Sequence, residues 1–165
     1  MPGNPFRIRK KAKNEFFRYI EKDKELGFDL DFDILYFCFM ASMAAGGIKS
    51  GKDDVKISEE TQELVEYFPG KYSDRRGKLL IALFLRKELE LLGVDLTEKE
   101  LVHDVISKKV SPEAPNYLSD LGVAEFNRYV YGGLDVLQEW FEEPPRSLDY
   151  FLRQFKFKLD NSFVT

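Results

Sequence analysis

Residues 29–45 read DLDFDILYFCFMASMAA, and whether they form a strand or a helix decides the fold. The front half, Ile34 to Phe39, is aromatic and β-branched and would pass as a buried strand. The run is longer than the usual strand of about five or six residues, and its second half is rich in Ala and Met, good helix formers. Asp29, Asp31 and Asp33 suit a helix N-terminus, where acids meet the positive end of the dipole. Gly46-Gly47 then closes the element. The stretch is therefore predicted to be a buried helix. It is shorter than the roughly 20 apolar residues a membrane span needs.

That reading governs the next stretch, GGIKSGKDD. Gly46, four residues, Gly51 and Lys52 spell GxxxxGK, most of a phosphate-binding loop. Such a loop needs a strand running into it and a helix starting at Lys-Ser/Thr, with the hydroxyl on magnesium. Here a helix precedes it, Asp53 replaces the hydroxyl residue, and Asp53-Asp54 put negative charge where phosphates would sit. A helix end followed by a polar loop is the simpler reading.

The rest of the chain also reads as helix. FRIRKKAKNEFFRYIEKDKEL places Phe16, Phe17 and Ile20 near one face of a charged segment that Gly27 ends. SEETQELVEYF begins a short helix at Ser58, broken by Pro69-Gly70. Ser73 is expected to cap a central helix, SDRRGKLLIALFLRKELELLG, which Gly93 terminates. Thr97 and Glu100 have capping-box spacing before the next helix. LSDLGVAEFNRYVYGGLDVLQEWF is one broken helix or two, interrupted at Gly132-Gly133. Ser147 caps a last helix whose Leu148, Phe151, Leu152, Phe155 and Leu159 form an apolar stripe. With 165 residues, 44% of them hydrophobic, the expectation is an all-α, single compact multi-helix domain of about six to eight helices over 1–165, with a basic segment at 1–25.

Composition limits the chemistry. The only cysteine, Cys38, allows neither an intramolecular disulfide nor a thiolate zinc site, and fits a reducing, cytoplasmic setting. His103-Asp104 resembles a paired ligand set of metal phosphohydrolases, but His103 is the only histidine, so that class and any multi-histidine metal site are excluded for one chain. Asp29, Asp31 and Asp33 could hold magnesium; helix capping is the simpler role. The start, MPGNPFRIRKK, has no apolar core of a secretory signal. No cofactor and no catalytic residue is assigned.

The charge pattern carries more. Arg7, Arg9, Lys10, Lys11 and Lys13 run without an acid, and Lys71, Arg75, Arg76 and Lys78 surround the start of the central helix. Arginines there oppose the helix dipole, at a few tenths of a kcal/mol. One reason is an anion, a nucleic-acid phosphate or an acidic patch on a partner or on this chain; a solvated face or internal ion pairs is the other reading. The net charge of −4 argues against strong autonomous nucleic-acid affinity. The chain has 15 Phe and 8 Tyr but one Trp. Tyr131 and Trp140, beside Gly132-Gly133, are candidate anchors for a partner protein.

The residues FPGKYSDRRGKLLIALFLRKEL (68–89) and LGVAEFNRYVYGGLDVLQEWFEEPPRSLDYFLRQF (121–155) resemble small helical accessory proteins encoded with prokaryotic DNA phosphorothioation modification–restriction systems. The likeness rests on the spacing of Gly, Pro and aromatics. It implies a non-catalytic component of a phage-defence complex acting beside DNA. The leading expectation is thus a helical adaptor docked on a larger protein, with DNA-backbone contacts through the nine cations named. A nucleotide- or metal-dependent enzyme using Gly46–Lys52 or the three aspartates is one alternative; a self-associating structural domain is the other.

Overall fold

The computed structural model describes residues 4–20, 30–51 and 55–163. Among these the chain is mostly helical: six α-helices, one π-helical turn (Ala12–Phe16), one 3₁₀ turn (Gly70–Tyr72) and a two-stranded sheet. The α-helices are α1 (Leu30–Ala44), α2 (Ile57–Glu60), α3 (Arg75–Leu91), α4 (Lys99–Lys109), α5 (Asp120–Trp140) and α6 (Leu148–Phe163); the strands are β1 (Arg7–Arg9) and β2 (Thr61–Glu63). Contacts group the chain into two compact units, residues 1–6 with 63–127 and residues 7–62 with 128–165.

The deciding stretch is helical. In α1 the residues Phe32, Ile34, Leu35, Phe37, Cys38, Phe39, Ala41 and Met43 are all buried, so an apolar run that looks like a strand serves a helix covered on every side. Gly46 and Gly47 close it with φ of 97° and 87°, and their N–H groups donate to Met43 O and Ser42 O.

Where the structure departs from the sequence reading, a competing partner explains it. The segment from Phe6 does not begin as helix. Arg7–Arg9 is extended, with Ile8 buried between two half-exposed arginines, and it pairs with β2. For the same reason α2 stops at Glu60: Thr61 turns extended, and its hydroxyl accepts from Arg7 Nη1 (3.1 Å) and donates to Ile57 O. The cap of α3 is Asp74, whose carboxylate accepts from Arg76 N–H; Ser73 is spent on Gly70 O (2.8 Å). Thr97 makes no capping box, because its N–H and hydroxyl both donate to the Asp95 carboxylate (2.9 and 2.8 Å). These bonds, the backbone N–H first, hold the Asp95 carboxyl below the usual range.

Helix α5 runs unbroken through Gly132-Gly133. A Cβ at Gly132 would lie 2.2 Å from Ile48 O and one at Gly133 1.7 Å from Cys38 O. The pair exists to let α1 and the following loop reach the α5 backbone. In the second unit Phe16, Phe17, Phe37, Phe141, Phe151 and Phe155 then fill the core. In the first unit Phe6 packs on Phe68 and Phe126, and Phe126 on Phe84.

Candidate functional site

The phosphate-loop spelling does not fold as one. The element before it is α1, and the N–H groups of Gly46, Gly47 and Ser50 are bonded to Met43 O, Ser42 O and Arg128 O, so they do not converge on a common point. Ser50 Oγ donates to Asp135 (3.0 Å), tying the loop to α5. Lys52, Asp53 and Asp54 lie outside the described residues, as do Gly27 and Asp29. Asp31 pairs with Lys13 (2.9 Å), and Asp33 is buried. No group of three or more His, Cys, Asp or Glu could hold a metal ion among the described residues. His103 is exposed on α4. Cys38 is buried, and burial pushes its thiol up to about 12, the field of Arg9 opposing and that of Asp135 adding. That is the reverse of an activated nucleophile.

The structure separates the nine candidate cations. Arg9 is committed inside the second unit, to Asp135 (2.8 Å) and Tyr131 O (3.4 Å). Arg7 bonds Thr61, and Lys13 holds Asp31. Lys10 and Lys11 are exposed. Lys71, Arg75, Arg76 and Lys78 are exposed at the start of α3, Lys71 lying over the Tyr72 ring (5.4 Å). Arg75, Arg76 and Lys78 make no ion pair among the described residues. The helix terminus beneath them is already filled by the Asp74 carboxylate, so they act there as side-chain charges and not as walls of a backbone anion hole.

The two aromatic candidates also part. Tyr131 is 1% exposed, its ring against Gly51, and offers no surface to a partner. Burial raises its phenol to about 12. Trp140 is half-buried, 6.2 Å from the Phe155 ring, and lines a cavity of about 580 Å³ at the turn between α5 and α6. Tyr150 (50% exposed) and Phe157 (60%) stand at the same cavity, with Glu142, Glu143, Arg146 and Lys158. Arg146 lies over the Tyr19 ring (4.9 Å), which Arg18 also covers (4.6 Å). Tyr150 and Phe157 were missed as site residues, yet both fall off the apolar stripe of α6, which is a sequence signal for exposure. A pocket with apolar walls and charges of both signs suits a protein segment with an apolar anchor, and contains no paired nucleophile and base.

No helix of the described residues is long and apolar enough to cross a membrane. Family models, curated proteins and solved structures give no match to this chain.

Proposed function

We propose that the chain is a non-catalytic helical adaptor that docks on a larger protein partner through the α5–α6 cavity, in a DNA modification–restriction complex of the phage-defence kind. The setting follows from the resemblance of residues 68–89 and 121–155. The docking surface follows from one observation: Trp140, which is half-buried, shares a cavity of about 580 Å³ with the exposed Tyr150 and Phe157. Clustered, partly exposed aromatics beside charged groups are what interface anchors look like. In this reading the partner holds the DNA. Arg7, Arg9 and Lys13 serve internal contacts, which removes them from a phosphate-binding stripe.

The test is affinity purification of the tagged chain from its native host, recording proteins and nucleic acid together. A single larger protein should co-purify, and Tyr150→Ala with Phe157→Ala should weaken its measured affinity by at least about tenfold, as anchor truncations do. Equal recovery with the double variant removes the cavity from the proposal. ATP-Mg²⁺ should leave the melting temperature unchanged; a rise would favour the nucleotide-binding alternative.

A further inference from the structure

The first unit carries a separate surface, and α3 shows it. Helices favour acids in the first turn and bases in the last. In α3 the first turn carries Arg75, Arg76 and Lys78 with no acid beyond the Asp74 cap, and the last turn carries no base. Beyond its C-terminus, Asp95, Glu98, Glu100 and Asp104 are exposed, with Lys99 and His103 among them. The side-chain charges thus make one end of the unit cationic and the other acidic.

The acidic end is also apolar. Leu91, Leu92 and Leu101 are exposed, and Leu96 is 65% exposed. Helix α4 has apolar positions at Leu101, Val102, Val105 and Ile106, yet none of its residues is buried. A hairpin tip that carries exposed leucines and exposed carboxylates within residues 91–104 calls for a cationic partner that also has apolar surface. The cationic end of α3 offers both, because Leu79 is exposed beside Lys78. The two ends cannot meet within one copy: α3 has 17 residues and is about 25 Å long.

We propose that the acidic leucine tip of the α3–α4 hairpin docks on the cationic start of α3 in a second copy of this chain. The contact is heterologous, so copies add head to tail instead of closing as a two-fold pair. It uses residues apart from the α5–α6 cavity and stands or falls independently of the adaptor reading.

Sedimentation velocity over a dilution series tests it. The average mass should rise with concentration past that of a dimer and fall back at about 0.5 M salt, where exposed charges are screened. Arg75→Glu with Arg76→Glu should weaken association at least about tenfold. Glu98→Lys with Glu100→Lys should do the same. An equimolar mixture of the two double variants, each with far-ultraviolet circular dichroism like the parent, should associate again, since each supplies the sign the other lost. A strict monomer, a closed dimer that grows no further, or a mixture that stays dissociated overturns the proposal. So does a monomeric parent that retains DNA through Arg75 and Arg76, which would assign those cations to phosphate.

Discussion

Phe151 in the second unit meets the rings of Phe16, Phe17, Phe37, Phe141 and Phe155, whereas α4 in the first unit buries no residue at all. The two units draw on similar proportions of apolar residues and use them differently. One interlocks aromatic rings around α1 and the second half of α5. The other packs one face of α3 and leaves the hairpin tip bare. Burial of apolar area drives folding, so stability should be concentrated in the aromatic unit, and the bare leucines should contribute to association instead.

The largest expected effect tests the aromatic side of that contrast. Phe151→Ala removes a fully buried ring with ring neighbours on several elements, and should cost about 3–5 kcal/mol by urea denaturation. Val105→Ala on α4 should cost well under about 1 kcal/mol. Equal losses would show that α4 is more deeply packed than its exposure indicates.

Alkaline pH should also single out the aromatic unit. Cys38 and Tyr131 both belong to it, and burial holds each group's proton to about 12. An ordinary thiol ionises near 9.0 and an ordinary phenol near 10.0. Between those values and about 12 the unfolded chain has lost protons that the folded chain keeps, so ionisation favours unfolding. Stability is full below pH 9 and falls as pH rises, by about 1.4 kcal/mol per pH unit for each group once its unfolded form is ionised. Cys38→Ala should flatten the fall of the urea midpoint between pH 9 and 10, where the thiol acts alone. An unchanged slope would mean that the thiol ionises in the folded protein.

The helices were legible in the sequence wherever their reasons were local. α1 follows from length and from the glycines behind it, α6 from Ser147 and its stripe, and the end of α3 from Gly93, whose φ is 70°. The failures all had a distant or competing partner. Nothing near Arg7 announces Thr61, 54 residues on. Gly132-Gly133 looks like a break until Cys38 and Ile48 are seen against it. Ser73 and Thr97 are good caps in isolation but bond Gly70 and Asp95. The same limit applies to the site. Trp140 and Tyr131 have equal claim by residue type, yet the first is half-buried at the α5–α6 turn and the second is turned inward against Gly51.

A smaller effect probes the cationic end of the first unit. Asp74 is both the cap of α3 and the one acid among Lys71, Arg75, Arg76 and Lys78. Asp74→Ala should cost about 1 kcal/mol through the lost bond to Arg76 N–H, and Asp74→Ser should recover most of it. If the start of α3 is a docking face for acids, both variants should bind the acidic tip more tightly, since both remove a repelling charge. A change that follows cap strength instead would make the effect structural.

The smallest expected change is the sharpest for the comparison. Leu89 and Leu96 lie on the same hairpin, one 4% and the other 65% exposed. Leu89→Ser loses buried methyl groups and places a hydroxyl against the core, which should cost about 3 kcal/mol. Leu96→Ser exchanges a bare side chain for a hydrated one and should stay within about 0.5 kcal/mol. A leucine that contributes nothing to folding yet costs solubility while bare is explained if a partner covers it. Leu96→Ser should therefore leave the unfolding midpoint of dilute protein in place while reducing association at high concentration. If it lowers the midpoint of dilute protein as far as Leu89→Ser does, the tip is part of the core and the contrast between the two units collapses.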